Sequence, residues 1–222
     1  MSSDPSPVLA IRPPEYFPRL EYLALMQSVD RFVVADTVPY SRQSYQNRTK
    51  VRNPAGWQWL SVPLQGGQRG EPISGALIDT NAPWPGKHFR GLEYNYRTSP
   101  YFEFYEADLA PIFGADWTTL GALTVRSVQF LTDAFDLDVE VMLASTLPGR
   151  PDSLDAIWAA LGKPSLRALP DTAGRDARAL GIDLDVLDYA SPTYHQNFPG
   201  FEPDLSALDA LFNHGPAARG FL

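Results

Sequence analysis

The sequence of 222 residues contains no cysteine. Disulfide frameworks, thiolate catalysis and the common zinc knuckles all depend on thiols, so all three are excluded. A chain without cysteine is suited to a reducing compartment, and we therefore expect a cytoplasmic protein.

Long apolar runs are also missing. No run approaches the roughly 18 residues that a membrane helix needs, so we expect no membrane insertion. The opening residues, Met1–Pro5, do not combine a basic segment with an apolar stretch, which argues against a signal peptide.

Positive charge and histidine are both scarce. Lysine and arginine total 18 against 26 aspartates and glutamates, which gives a formal net charge of −8. An acidic surface disfavours nucleic acid and anionic membranes as partners, so an anionic ligand would need a local basic patch. The histidines do not have the spacing of metal ligands, so no metal site is predicted. Phosphate-loop and dinucleotide motifs are absent from the sequence, which leaves the cofactor unassigned.

The hydrophobic pattern predicts an α/β fold. Val8–Ile11 and Phe32–Ala35 are short apolar runs typical of buried strands, and residues 20–29 between them have helical spacing. A strand, a helix and a strand within about 30 residues form a βαβ unit, which implies parallel pairing. Because the last third of the chain alternates in the same way, we expect a mainly parallel sheet with helices on both faces.

The whole chain, 1–222, is predicted to form a single domain with a helical insertion at roughly 85–135. Further strands are predicted at 47–51, 58–62, 73–78, 139–142, 166–169 and 182–189. Further helices are predicted at 85–96, 101–113, 118–135, 154–161, 175–180 and 205–212, the last capped by Asp204. The insertion is expected to cover the carboxyl ends of the strands, where such sheets bind ligands.

A series of short motifs runs along nearly the whole chain. The motifs are Tyr16-Phe17-Pro18, Asp30 and Asp36, Tyr45-Gln46-Asn47-Arg48, Gly56-Trp57-Gln58-Trp59-Leu60, Val62-Pro63, Lys87-His88, Tyr94-Asn95-Tyr96, Pro100-Tyr101-Phe102, Phe201, Pro203, Leu205-Ser206, Leu211-Phe212-Asn213 and Gly215. In order and spacing they resemble the WbqC-like family. The sequence departs from the family pattern at Glu21-Tyr22-Leu23, Pro39, Leu169-Pro170 and Ser191-Pro192.

The resemblance implies a role in the biosynthesis of a bacterial surface glycan, because the family is named from O-antigen gene clusters. A related amino-sugar or acylated metabolite is an equally open product. The resemblance does not imply a particular reaction.

The predicted helix from Lys87 to Asn95 carries one group of candidate site residues. At about 100° per residue, Lys87, His88, Tyr94 and Asn95 share an arc centred on Gly91. A glycine inside a helix costs about 1 kcal/mol relative to alanine, so it needs a reason. Either a substrate lies against the bare backbone, with His88 as general acid or base, or Gly91 admits a neighbouring element.

A second group follows in the predicted strand after Gln46. In an extended chain Arg48, Lys50 and Arg52 point to one side and Asn47 to the other. These cations could hold a phosphate or carboxylate, with Arg48 forming a bidentate pair. Alternatively, the charges protect an edge strand from aggregation.

Asp36 completes the set of candidates. It ends a buried strand beside the expected ligand edge, where its carboxylate could bind a ligand or cap the next turn. We therefore expect His88 and Tyr94 to be catalytic, and the substrate to be bound by Asp36, Asn47, Arg48, Lys87 and Asn95.

The sequence favours an enzyme that acts on a phosphorylated or carboxylated small molecule. Formation or transfer of an acyl or amide group on an amino-sugar or amino-acid derivative is the leading hypothesis. The alternative is a nucleotide- or sugar-binding module without catalysis. The sequence does not predict an oligomeric state.

Overall fold

A computed structural model describes residues 7–222; the opening segment Met1–Pro5, which argued against a signal peptide, lies outside them. In the described part of the chain, the strands are β1 (Val8–Arg12), β2 (Arg31–Val34), β3 (Arg48–Asn53), β4 (Gly56–Ser61), β5 (Glu140–Leu143), β6 (Ser165–Ala168) and β7 (Asp185–Val186). The α-helices are α1 (Leu20–Gln27), α2 (Trp84–Tyr96), α3 (Phe102–Gly114), α4 (Leu120–Ala134), α5 (Leu154–Ala160), α6 (Pro170–Leu180) and α7 (Ala207–His214).

The main sheet has the strand order β5-β2-β1-β6-β7, and all its neighbouring strands are parallel. The predicted α/β fold is thus confirmed. The chain adds β2 and β5 on one side of β1 and then returns to add β6 and β7 on the other side. The carboxyl ends of β1 and β6 therefore form a topological switch point, where sheets of this kind open a crevice.

Both faces of the sheet are buried at its central strands β1 and β2, as is usual for parallel strands. Along β1, Ala10 belongs to the core on the side of α1, whereas Leu9 and Ile11 belong to a second core. The second core includes Ile157 of α5 and the partly buried Leu180 of α6. The alternation of side chains along a strand thus supplies one core on each face.

The strands β3 and β4 form a separate antiparallel hairpin, in which Arg48 pairs with Ser61 and Asn53 with Gly56. The helices α2, α3 and α4 follow the hairpin and occupy most of the region predicted to be a helical insertion. Helix α2 packs against β3, which places the hairpin between this helical region and solvent.

The segment 73–78, predicted as a strand, is irregular. Its backbone makes isolated bridges and bonds to several neighbours, including Ser74 N to Asp36 O at 2.7 Å and Leu120 N to Ala76 O at 2.8 Å. Gly121 allows this contact, because an added Cβ would lie 2.5 Å from the Ser74 Cα. The segment is therefore held by the start of α4 and cannot join a ladder.

Three other elements differ from the sequence-based prediction by more than a shift of one or two residues or in their cap. Helix α6 begins at Pro170, because proline suits the first helical turn. The predicted strand 182–189 reduces to the two residues of β7. Helix α7 is capped by Ser206, whose hydroxyl accepts from Leu208 N at 3.2 Å, and not by Asp204, whose φ of 59° takes it out of the cap geometry.

Within residues 7–222, no helix is both long enough and apolar enough to cross a bilayer.

Candidate functional site

A cleft of about 580 Å³ lies beside the hairpin and is lined by side chains from two segments, residues 40–48 and 61–69. The first segment lies in the connection between β2 and β3 and includes the first residue of β3. The second continues from β4. The size of the cleft falls in the range of small-molecule sites, which is roughly 300–1,000 Å³.

Arginine dominates the charge of this cleft. Arg42, Arg48 and Arg69 line it, and among the described residues no aspartate or glutamate does so. A local excess of guanidinium groups is notable in a chain of net charge −8. Guanidinium groups match the geometry of phosphate and carboxylate, so the cleft is suited to an anionic ligand.

Arg48 is held in place by two contacts. Its Nη2 donates to the carbonyl of Gln43 at 2.6 Å, and its guanidinium lies over the ring of Trp59 at 4.1 Å from the centroid. The buried Nε has no hydrogen-bond partner among residues 7–222. The guanidinium is therefore positioned before any ligand arrives and retains donor capacity.

Asn47 joins Arg48 in the lining of the cleft. Its Nδ2 donates to the carbonyl of Val62 at 2.9 Å, whereas its Oδ1 has no partner in the described part of the chain. Because Asn47 precedes the first residue of β3, the alternation expected for an extended strand does not separate it from Arg48. A buried amide oxygen without a partner is available to a ligand hydroxyl or amine.

His88 lies behind the wall of the cleft and does not line it. Its Nδ1 is 3.0 Å from the hydroxyl of Tyr16, its ring packs against Trp84, and it is hydrogen-bonded to the backbone of Ser61, which does line the cleft. Burial lowers the pKa of His88 to about 4, and the Ser61 bond opposes this only in part. The imidazole is therefore neutral at pH 7.

The four residues of α2 that are predicted to hold a substrate differ in their exposure to solvent. Lys87 and Tyr94 are exposed, Tyr94 by 70%, whereas His88 and Asn95 are buried. An added Cβ at Gly91 would meet the side chains of Gln58 and Leu60 at 3.6 and 3.7 Å. Both distances are ordinary van der Waals contacts, so the hairpin lies beside Gly91 without requiring that this position lack a side chain.

Asn95 and Asp36 both join segments of the chain. The Asn95 carbonyl accepts a hydrogen bond from Nδ2 of Asn197. The carboxylate of Asp36 is buried and accepts from the backbone N–H of Ser145 at 2.8 Å, which ties the end of β2 to the residues after β5. Of the seven predicted site residues, the cleft brings together Asn47 and Arg48, and the proposed roles of the others stay predictions.

The other two cations of β3 have different environments. Lys50 lies over the ring of Trp57 at 4.7 Å. Arg52 is buried, and its guanidinium donates to backbone carbonyls of Asn53, Gly56, Phe198 and Pro199. Arg52 therefore fixes the hairpin turn to the segment before α7, and it does not share an anion with Arg48.

The last residue of β1 and the residues after it form an ionic cluster that the sequence-based prediction missed. The Nη1 of Arg12 donates to Oγ1 of Thr172 at 2.9 Å, and its Nη2 is 3.7 Å from the carboxylate of Glu15. Burial raises the pKa of Glu15, although Arg12 and Arg19 oppose the shift. The available signal was the position of Arg12 and Glu15 directly after a buried strand.

Among residues 7–222, no three histidine, aspartate or glutamate side chains are grouped so that they could hold a metal ion.

Comparison with known proteins assigns the family. Residues 13–220 match the model of the WbqC-like protein family. The chain belongs to this family. It is 31% identical over 228 residues to the uncharacterized protein Rv1507c of Mycobacterium tuberculosis, with 96% of each chain covered. No solved structure matches it.

Two of the four segments that are predicted to depart from the family pattern lie together. Glu21, Ser191 and Pro192 line one narrow crevice next to Arg19, which forms an ion pair with Glu21. Burial raises the pKa of Glu21, and Arg19 lowers it in part. The departures therefore form a shared local environment at the start of α1.

Proposed function

We propose that this WbqC-like protein is a cytoplasmic enzyme that binds a phosphorylated or carboxylated small molecule in the arginine-lined cleft. It would act in the biosynthesis of a surface glycan or of a related amino-sugar or amino-acid metabolite, by forming or transferring an acyl or amide group. The observation that carries the anion-binding part is the presence of Arg42, Arg48 and Arg69 in one cleft without a lining carboxylate.

The charge distribution supports a small anion over a polyanion. The net charge of −8 repels an extended nucleic acid, which would contact much of the surface. A small phosphate or carboxylate contacts only the cleft, where Arg48 is already oriented by Gln43 and Trp59. Such preorganisation reduces the cost of ordering side chains on binding.

The hydrogen-bonding groups of the cleft suit a polar substrate. In this proposal Arg48 neutralises the anionic group, and Oδ1 of Asn47 accepts from a substrate hydroxyl or amine. An amino sugar or amino-acid derivative carries both kinds of group.

The proposed chemistry also assigns roles outside the cleft. His88 would handle a proton, Tyr94 and Asn95 would orient the substrate, and Lys87 and Asp36 would add contacts. For His88 this role requires its imidazole to reach past Ser61, whose backbone it contacts. A variant such as His88→Gln that retains turnover would remove His88 from the mechanism.

A specific observation favours the second candidate, a nucleotide- or sugar-binding module without catalysis. Among the described residues that line the cleft, none is a histidine, lysine, aspartate or glutamate. Burial raises the pKa of Tyr40, the phenol in the lining, although Arg42 and Arg48 lower it in part. The resting cleft therefore offers no lining group that titrates near pH 7.

Titration calorimetry of the full chain with pyrophosphate, sugar phosphates and nucleotide sugars tests anion binding. Arg48→Gln and Arg69→Gln should each raise the Kd about tenfold to a hundredfold, because each removes a charged hydrogen-bond donor. Arg90→Gln is the matched control, since Arg90 is an exposed arginine of α2 that does not line the cleft. Equal affinities in all four proteins would exclude the cleft as the binding site.

A turnover assay on each ligand that binds then separates the two candidates. Product formation that depends on Arg48 supports the enzyme. Tight binding without turnover of any ligand, alone or in pairs with an acyl or amine donor, supports the binding module.

A further inference from the structure

A second pocket, of about 230 Å³, lies at the carboxyl end of β1 on the side of the sheet that carries α5 and α6. Its lining includes Ile11, Arg12, Val38, Leu154, Asp176 and Ala179. None of these residues lines the arginine-lined cleft, so the two sites are separate.

The pocket adjoins the topological switch point of the sheet. The bond from Arg12 Nη1 to Thr172 Oγ1 spans this point, because Arg12 ends β1 and Thr172 lies in the first turn of α6. Helix α5 begins at Leu154 on the far side of the pocket. Parallel sheets bind ligands in the crevice that opens at this position.

The lining of the pocket combines apolar walls with the buried Arg12 and Asp176, which form ion pairs with Glu15 and with the exposed Arg175 of the lining, respectively. Arg12 is 7% exposed and Asp176 is 8% exposed. Within residues 7–222, Nε of Arg12 has no hydrogen-bond partner. The carboxylate of Asp176 accepts a bond from Nε of Arg175, and it retains further acceptor capacity.

These groups define a ligand by chemistry and size. Arginine only donates and carboxylate only accepts, so the edge of the ligand must carry both acceptors and donors. Apolar walls suit the faces of a flat ring. The volume is below the roughly 300 Å³ at which pockets for drug-sized ligands begin, which favours one ring system.

We propose that this pocket binds the purine base of a nucleotide. A purine has two apolar faces, ring nitrogens or an oxygen that accept from Arg12, and N–H groups that donate to Asp176. Guanine fits best, because its N1–H and amino group match a carboxylate and its O6 and N7 match a guanidinium. The inference goes beyond the proposed function and does not depend on the arginine-lined cleft.

Titration calorimetry of the full chain with guanosine, adenosine and uridine tests the proposal. Nucleosides carry no phosphate, so they lack the anionic group that the arginine-lined cleft is proposed to bind. We expect saturable binding of guanosine, weaker binding of adenosine and at least tenfold weaker binding of uridine. Uridine binding as tightly as guanosine, or the absence of binding by either purine nucleoside, would overturn the proposal.

Substitutions in the pocket and outside it test whether the base binds there. Ala179→Trp fills the pocket from the exposed surface of α6 and should weaken guanosine at least tenfold. Ala107→Trp, at an exposed alanine of α3 outside the pocket, should leave the Kd unchanged. Asp176→Asn provides a second test without added bulk, and it should weaken guanosine more than adenosine.

Arg48→Gln separates this proposal from the proposed function. Guanosine binding should be unchanged in Arg48→Gln, whereas pyrophosphate binding should weaken about tenfold to a hundredfold. Loss of guanosine binding in Arg48→Gln with full retention in Ala179→Trp would assign the base to the cleft and overturn the second site. If Arg48→Gln binds both pyrophosphate and guanosine as tightly as the parent, the result would count against the proposed function and would leave the purine pocket untouched.

Discussion

The hydroxyl of Tyr16 and Nδ1 of His88 lie 3.0 Å apart in the interior of the protein. Burial raises the pKa of Tyr16 well above its ordinary value, so the phenol keeps its proton, and the tautomer of His88 decides which of the two groups donates. A hydrogen bond to the backbone of Ser61 favours the protonated ring, although burial outweighs it. The pair thus connects the loop after β1 to the end of the hairpin.

This arrangement predicts a pH dependence of folding stability. The pKa of His88 is about 4 in the folded state and 6.5 in the unfolded chain, so between these values the unfolded chain binds more protons. The stabilisation is fully present above pH 6.5 and is lost as the pH falls towards 4, by about 3 kcal/mol. His88→Gln should remove this dependence, which urea unfolding at a series of pH values measures.

The effect is a change in the slope of the free energy of unfolding against pH. Between pH 4 and 6.5 this slope should be smaller in His88→Gln than in the parent. The difference corresponds to up to one proton that the unfolded parent chain binds and the folded parent does not. His195→Gln, at an exposed histidine, is the control and should keep the parent slope. Parallel curves for the parent and His88→Gln would contradict the neutral buried imidazole.

Asp209 should have the opposite effect. Burial raises its pKa from 3.8 to about 6, and the hydrogen bond from the Tyr96 hydroxyl to Oδ1 opposes the shift only in part. Between these values the folded state binds more protons, so this contribution is present below pH 3.8 and is lost as the pH rises through 6. Asp209→Asn should therefore be more stable than the parent at pH 8, by about 1–3 kcal/mol.

The same variant should match the parent near pH 4, because both side chains are then uncharged. Thermal and urea unfolding at pH 4 and pH 8 measure the difference. Asp204→Asn, at an exposed position, should change stability little at either pH. A less stable Asp209→Asn at pH 8 would show that the ionised carboxylate is well compensated.

Two helical glycines should respond in opposite directions to alanine. At Gly121 an added Cβ would lie 2.5 Å from the Cα of Ser74, so the backbone must move, and Gly121→Ala should lower the free energy of unfolding by about 1–3 kcal/mol. At Gly174 an added Cβ would have no neighbouring atom within 4 Å. Gly174→Ala in α6 should therefore raise the free energy of unfolding by about 0.5–1 kcal/mol. Urea unfolding of both variants checks the signs, and equal effects would contradict the close contact.

The guanidinium of Arg52 should hold the segment before α7 in its conformation. Arg52→Met removes the donors to the carbonyls of Phe198 and Pro199, so we expect a loss of about 2–4 kcal/mol and faster hydrogen exchange in residues 196–202. Hydrogen exchange with mass spectrometry measures this locally. Arg97→Met, at an exposed arginine, is the control. Unchanged exchange in 196–202 would show that other contacts hold the segment.

Most of the fold could be predicted from the sequence, because apolar runs and helical spacing report burial directly. The run Val8–Ile11 and the stripe in 118–135 correspond to β1 and α4. The end of a helix is harder to predict, since Asp204 and Ser206 are both good caps. Only the backbone conformation decides between them.

The candidate site could be predicted only in part. Arg48 was identifiable because cations are unusual in an acidic chain. The cluster around Arg12 and the space beside Gly91 depend on contacts between distant segments, with Thr172 and with β4 respectively. Such contacts follow from the strand order and from hairpin docking, which periodicity does not report.

The position of β5 next to β2 has a consequence for how the protein folds. Residues 35–139 separate these neighbouring strands, so the hairpin and three helices must be synthesised before the pair can close. Closing so long a loop costs entropy before any pairing is gained, and contacts between distant residues slow folding. We expect the β2 edge to stay open while the ribosome makes this stretch, and chaperones that shield exposed strands would act in that interval.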